Sequence, residues 1–210
     1  MDTESSTRPP LATATSVSTR YDYTMRPEYA TSKVAAITTV KQMIWQMSNR
    51  ADPLALPLAD RHYSRQKPGT AQFVPPGSCV VFRALGALWV TSWPLAEFTQ
   101  HAWAGAWVNS FFRKECAGKA SDYILEAVAA TRYWYAGDGV PALGMVSFVD
   151  PKHVKPIMRR GQPIYGYCYL RAGFEHVGYT KVKKQWVWQL LPERMPAAAP
   201  AVNMQLEFAL

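Results

Sequence analysis

Six short apolar runs and one long helical stretch, in a fixed order, constrain what this chain can fold into. Cys79–Ala84, Ala87–Trp93 and Trp107–Phe112 are rich in Val, Phe and Trp and read as strands, the first two joined at Leu85-Gly86. Residues 120–135 read as a helix, with Ser121 as its predicted N-cap and Asp122 in the first turn, where a carboxylate meets the positive end of the helix dipole. Gly137–Pro141 turns the chain, and 143–149 is a further apolar strand stopped by Asp150-Pro151. Residues 163–172 predict a short helix closed by Gly173, and 174–180 and 185–191 predict a final pair of strands. Hairpins that lead into strand–helix–strand specify an α/β or α+β domain on a mixed, mostly antiparallel sheet flanked by helices. With 210 residues, 49% hydrophobic and 18% charged, the chain can bury one sizeable core but not two.

The two ends read differently. Residues 1–30 lack periodicity and predict a flexible or wrapping arm, whose Arg20, Tyr21, Tyr23, Arg26 and Tyr29 suit docking on the body. A helix is predicted from an N-cap at Ser32 to about Ser48, with Val34, Ile37, Ile44, Trp45 and Met47 on its apolar side. Residues 51–58, broken by Pro53 and Pro57, predict extended chain, and the Pro/Ala-rich residues 192–210 a loosely held tail. Residues 31–191 remain as one domain.

Charge is unevenly placed. Residues 58–190 carry 16 basic and 8 acidic side chains, which accounts for the whole net charge of +8. Such a body suits a polyanion or a phosphorylated cofactor, and equally serves solubility. Cys79, Cys116 and Cys168 are isolated and odd in number, which argues against a disulfide framework or a cysteine zinc cluster. No stretch approaches the roughly 18–20 apolar residues of a membrane span, and Met1–Thr19 has no apolar core, so a cytoplasmic protein without membrane partners is expected.

Three segments carry candidate chemistry. Trp107–Ser121 runs from strand through a Gly/Ala loop into a helix start, where free backbone amides favour phosphate; Arg113, Lys114 and Lys119 add charge. The same pattern also fits a plain strand–helix connection. Tyr167–Gly178 places Tyr169, Ala172, Gly173-Phe174 and Gly178 in an aromatic helix, a small residue, Gly-Phe and a strand with a later Gly. This segment resembles the late helix–strand junction of the GNAT acyltransferase superfamily. The resemblance implies that the helix bearing Tyr167 and Tyr169 packs beside the pantetheine arm of an acetyl-CoA-like acyl donor. It also implies that Arg113, Gly118, Lys119, Ala120 and Ser121 bind its pyrophosphate and that the sheet splays beside residues 143–149. The loop departs from the superfamily's Arg/Gln-x-x-Gly-x-Gly/Ala; Gly118-Lys-Ala120 is its closest match.

Asp60-Arg-His-Tyr-Ser64, Phe112-Arg113 and Phe148–Pro151, together with the Tyr167–Gly178 segment, resemble the Mom-like branch of that superfamily, which modifies DNA bases in phage. The likeness spans about residues 58–190. It implies a transferase placing an acyl or acyl-derived group on a base amine, with His62, Tyr63, Arg113 and Asp150 as its catalytic set and duplex DNA, the target base flipped out, as its partner. A phage-encoded protein working in the host cytoplasm is implied. His62 can shuttle a proton or ligate a metal, Tyr63 can donate to a developing anion or stack on a base, Arg113 can hold a phosphate or carboxylate, and Asp150 can take a proton from an amine. The branch is also associated with iron, for which His62, with Tyr63 and Asp150, is the candidate ligand. Lys152, Lys155, Arg159, Arg160, Lys181, Lys183 and Lys184, interleaved with Trp and Tyr, suit a nucleic-acid track. Two alternatives stay open: an acetyl-CoA-dependent N-acetyltransferase of a small amine, tRNA or protein, and a non-catalytic GNAT-fold binding protein.

Overall fold

The computed structural model describes residues 43–99 and 101–204, all within the unit Val40–Leu210. A tight turn at Leu85-Gly86 pairs β2 (Cys79–Ala84) with β3 (Ala87–Ser92), Ala84 lying opposite Ala87. Gly86 holds φ +69°, and a Cβ there would sit 3.0 Å from the Cβ of Cys116, so the turn requires glycine on both counts. On one side β1 (Gln46–Ser48) adds antiparallel to β2, and on the other β4 (Trp107–Lys114) adds antiparallel to β3. Helix α2 (Ala120–Trp134) then carries the chain over one face, and β5 (Met145–Val149) returns parallel to β4. A separate hairpin follows, β6 (Ile157–Arg159) with β7 (Gln162–Ile164), then helix α3 (Tyr167–Arg171), then β8 (Glu175–Tyr179) and β9 (Trp186–Leu190). The seven-stranded order is β1-β2-β3-β4-β5-β9-β8, antiparallel throughout except β4–β5.

Side chains divide by strand alternation. Val80, Phe82, Ala84, Trp89, Trp107, Met145, Trp188 and Leu190 build the core under α2 and α3. Val81, Leu88, Val90 and Phe111 face the other way, onto α1 (Leu56–Asp60) and Phe73-Val74. Two buried polar contacts fix α2 on the sheet. Thr91 and Thr131 share a hydroxyl hydrogen bond of 3.0 Å, and Trp45 Nε1 donates to the Tyr123 carbonyl at 2.8 Å.

One irregularity shapes the site. The β3–β4 register slips between Val90 and Thr91, which pair with Phe111 and Asn109, so Ser110 bulges out. A one-residue insertion exchanges the two faces of everything beyond it. Trp107 and Asn109 thus face α2, whereas Phe111 faces α1 and Phe112 packs back toward α2. Beyond Asn109, β4 loses contact with β5: only Trp107–Asn109 pair with Met145–Ser147, and the rest of β5 bonds to β9 alone. The strands diverge and leave a wedge in the middle of the sheet.

Several local expectations change. Residues 46–48 are strand, not helix, because they pair with Val81–Arg83; residues 32–42 of the predicted helix, like residues 1–30, lie outside the described residues. Residues 56–60 form a helical turn with Pro57 in its first positions, where a missing N–H costs nothing. The helix expected over 163–172 is confined to 167–171, since 162–164 pairs in the small hairpin. Lys119, not Ser121, caps α2, and no side chain bonds the cap. Residues 192–204 of the predicted tail are held rather than loose, 205–210 lying outside the described residues: Ala199 and Val202 donate main-chain bonds to Ala129 and Trp45, Asn203 exchanges two bonds with Met47, and Ala201 is fully buried. No described helix is long and apolar enough to cross a membrane.

Candidate functional site

The wedge between β4 and β5 is held open by a buried polar cluster. Asn109 Nδ2 donates to the carbonyls of Val90 (3.1 Å) and Phe111 (2.9 Å), bridging the ladder across the bulge. Its Oδ1 accepts from Tyr169 Oη at 2.6 Å and from Ser147 Oγ at 3.3 Å. One side chain thereby joins β3, both halves of β4, β5 and α3. Burial of Tyr169 raises its hydroxyl well above the usual range, so it stays a neutral donor. The remaining space is a slot of about 240 Å3, whose walls include Ser147, Phe112, Ala120, Cys168 and Tyr169.

His62 and Tyr63 stand over this slot on a loop that its own sequence staples. Asp60 accepts from Arg65 Nε (2.9 Å) and from the Gly69 amide (2.9 Å), and Arg65 also donates to the Gln72 and Thr70 carbonyls. Only 6% of the Arg65 side chain is exposed, so a guanidinium bonded to one carboxylate and two carbonyls replaces a local core here. The stapled loop presents a column of rings: Phe111 to His62 (centroids 4.0 Å), His62 to Tyr63 (4.5 Å), Tyr63 to His153 (5.1 Å, planes 3° apart). Tyr63 Oη donates to the Phe148 carbonyl at 3.3 Å, closing the column onto the end of β5. Burial, then the proximity of Arg113, lower the His62 imidazole to about 4, so it is neutral at physiological pH.

Arg113 sits in this corner but faces away from the slot. It donates to the Arg61 carbonyl, directly before His62, and to Glu115. Arg61 binds the same carboxylate through Nε (2.9 Å) and Nη2 (2.6 Å). Two guanidiniums hold Glu115 down to about 2. Arg113 is therefore a clamp on the His62–Tyr63 loop, and Glu115, which the motif reading missed, is the anion that orients it.

On the far side of Tyr63 the surface opens into a groove of about 810 Å3, lined by Tyr63, Asp150, Lys152, His153, Lys183 and Lys184 among others. Tyr63 borders both the slot and the groove. Asp150 closes an Asx turn by accepting the Lys152 amide at 2.9 Å. The structure thus brings together His62, Tyr63, Asp150, Lys152, Lys183 and Lys184, with Arg113 behind them. Lys155, in the connector before β6, and Arg159, Arg160 and Lys181, on the two neighbouring hairpins, lie outside the groove, all exposed. At the other end of the slot, Gly118 holds φ +93° and leads through the exposed Lys119 into α2, where Ala120 lines the slot and Ser121 turns to Asp122 (3.4 Å). Cys168 and Tyr169 line the slot; Tyr167 does not.

The residues do not fit a metal as they stand. Nδ1 of His62 accepts the Ser64 amide (3.2 Å) and contacts Ser64 Oγ (2.7 Å), while the ring also bonds the Phe112 main chain. No third His, Cys, Asp or Glu joins it among the described residues. Asn109 and Ser147 escaped sequence reasoning because a polar residue within an apolar strand reads as an interruption. His153 was hidden by the Lys-rich run around it. Comparison of this chain with protein-family models, with curated proteins and with solved structures returns no match. What fold and site define at this point is an α+β protein with a splayed mixed sheet and a two-chambered cleft.

Proposed function

We propose that this chain is a GNAT-like transferase of the Mom-like kind, placing an acyl or acyl-derived group on an amine of a DNA base. One observation carries the reading: the slot between diverging β4 and β5 and the lysine-lined groove meet at a single side chain, Tyr63. A transfer between two unlike reactants needs two chambers that share a wall, one dry for the donor's reacting group and one matched to the acceptor's charge. Gly118, Lys119, Ala120 and Ser121 at the start of α2 would hold the donor's phosphate, and an acetyl-CoA-like donor would supply the activated acyl group. Its reacting end would lie against Asn109, Ser147 and Tyr169. DNA phosphates would follow Lys152, Lys183 and Lys184. Asp150, which lines the groove, would accept the proton released as the amine is substituted. His62, neutral and hydrogen-bonded, positions Tyr63 instead of exchanging protons. The strand order and the parallel β4–β5 pair that splays beyond Asn109 support the fold-level part of this reading.

The test is nucleoside mass spectrometry of DNA digested from cells that express the protein, with and without its neighbouring genes. Wild type is expected to yield a base carrying an added acyl-derived mass. Asp150→Ala and Lys183→Ala/Lys184→Ala should lose it while their circular dichroism stays native. A full yield from Asp150→Ala would remove that residue's role, and an unmodified wild-type sample would sink the assignment.

A further inference from the structure

Among the described residues only two that are not glycine hold a left-handed backbone, Arg160 (φ 49°) and Lys184 (φ 53°). Both are basic and each lies at the turn of a hairpin. Arg160-Gly161 is the two-residue turn between the paired Arg159 and Gln162, a place where Asn or Gly relieves the steric conflict and Arg does not. Strain retained in an exposed turn gains nothing for folding, which points to a use for the side chain. Neither side chain makes an ion pair or hydrogen bond within the described residues, nor do those of Lys155, Arg159, Lys181 and Lys183. Six uncompensated cations therefore lie on two hairpins and the connector that leads into one of them. Among them stand apolar side chains open to water: Ile157 (51% exposed), Met158 (63%) and Val182 (91%).

The two hairpins leave the same end of the sheet. The β8–β9 turn ends at Trp186, which pairs with Val149, the last residue of β5. The connector to β6 starts at Asp150, and Tyr165, just past β7, packs on Trp186 at 5.6 Å. The groove lies between, bordered by Lys152 and His153 from one connection and by Val182, Lys183 and Lys184 from the other.

We propose that these hairpins straddle duplex DNA at the groove and pry open the base step between them, with Ile157, Met158 and Val182 as wedges and the six cations on phosphates. The proposal rests on the DNA-modification reading and supplies what it lacks, a means of getting a paired base out of the helix. Apolar wedges set among basic side chains are the chemistry by which proteins unstack and kink a duplex. The exposed His153 ring, which ends the column over Tyr63, offers the extruded base a stacking surface. A protein partner fits poorly, because lysine is depleted from the cores of protein interfaces.

The experiment adds the purified full-length protein to a mixed-sequence duplex. Unstacking is read by permanganate reactivity of thymines, and binding by fluorescence anisotropy on the duplex and on its single strand. Wild type is expected to bind the duplex and raise reactivity at discrete thymines. Ile157→Ser/Met158→Ser/Val182→Ser should keep single-strand affinity within about threefold and lose that reactivity. Arg160→Ala/Lys184→Ala should weaken both forms, by about tenfold at low salt. Unchanged reactivity in the triple variant, or duplex binding by wild type with no unstacking, overturns the wedges and leaves the DNA reading intact. No binding of wild type to either form overturns the DNA reading and the wedges with it.

Discussion

Replacing Asn109 with Leu should cost this protein roughly 3–5 kcal/mol, and the partners explain why. The substitution keeps the branched, four-atom shape of the side chain and adds volume, so none of the loss is cavity. It strands four buried groups: the carbonyls of Val90 and Phe111, which lose their Nδ2 donor, and the hydroxyls of Tyr169 and Ser147, which lose their acceptor at 2.6 and 3.3 Å. Each orphaned group costs about 1–3 kcal/mol, and relaxation across the bulge trims the sum. At about 2–4 °C per kcal/mol for a chain of this size, Tm should fall by roughly 10 °C or more. Tyr169→Phe alone should cost about 1–2 kcal/mol, because Asn109 Oδ1 keeps only the 3.3 Å bond from Ser147. In the Asn109→Leu background the same change removes an orphan, so it should be neutral or restore about 1 kcal/mol. Urea denaturation of the four proteins in this cycle, followed by tryptophan fluorescence, measures the coupling. A loss below about 1 kcal/mol for Asn109→Leu, or additive single-site effects, would refute the claim that this cluster holds the wedge open.

Other outcomes follow from the same geometry. Glu115 is held near 2 against an ordinary 4.5, so its contribution is present above pH 4.5 and lost as pH falls through about 2. Glu115→Gln should therefore lower Tm at pH 7 and converge with wild type near pH 2; parallel Tm–pH curves would contradict the Arg61–Glu115–Arg113 clamp. For His62, lowered from 6.5 to about 4, the unfolded chain takes up a proton that the folded one refuses as pH drops below 6.5. Stability should decline by up to roughly 3 kcal/mol by pH 4, and His62→Phe, which preserves the ring column, should flatten that decline. Arg160→Asn should relieve the left-handed strain, raising stability by about 0.5–1 kcal/mol in thermal unfolding while weakening DNA binding in anisotropy; a drop in Tm would show that the turn is not strained.

The hairpin–strand–helix–strand order was legible because the longer strands are runs of apolar side chains, as in Cys79–Ala84 and Ala87–Ser92, and Ala120–Trp134 is long enough to show a helix. Three-residue strands were not. Gln46–Ser48 and Gln162–Ile164 are too short to show a period, and tertiary pairing decides them. The bulge at Ser110 was equally invisible, since an inserted residue leaves composition untouched and only exchanges faces. At the site, the Asp60–Arg65 segment was recognisable as a unit, but the meaning of its ends was not. Asp60 and Arg65 bind each other and the loop that follows, so the spacing encodes a staple that presents His62 and Tyr63. Arg113 read as a ligand-binding cation because Glu115, two residues on, looked like an ordinary surface charge.

The central claim is that slot and groove are the two halves of one transfer site, and a block at the slot alone tests it most directly. Ala120→Trp should fill the slot mouth at the first turn of α2 without touching the groove lysines. The measurement is the amount of modified nucleoside in DNA from cells producing wild type or this variant, set beside the duplex affinity of the two purified proteins. The account predicts a new nucleoside with wild type, none with Ala120→Trp, and equal duplex binding by both. Equal yields from the two proteins, or no new nucleoside from wild type, would contradict it.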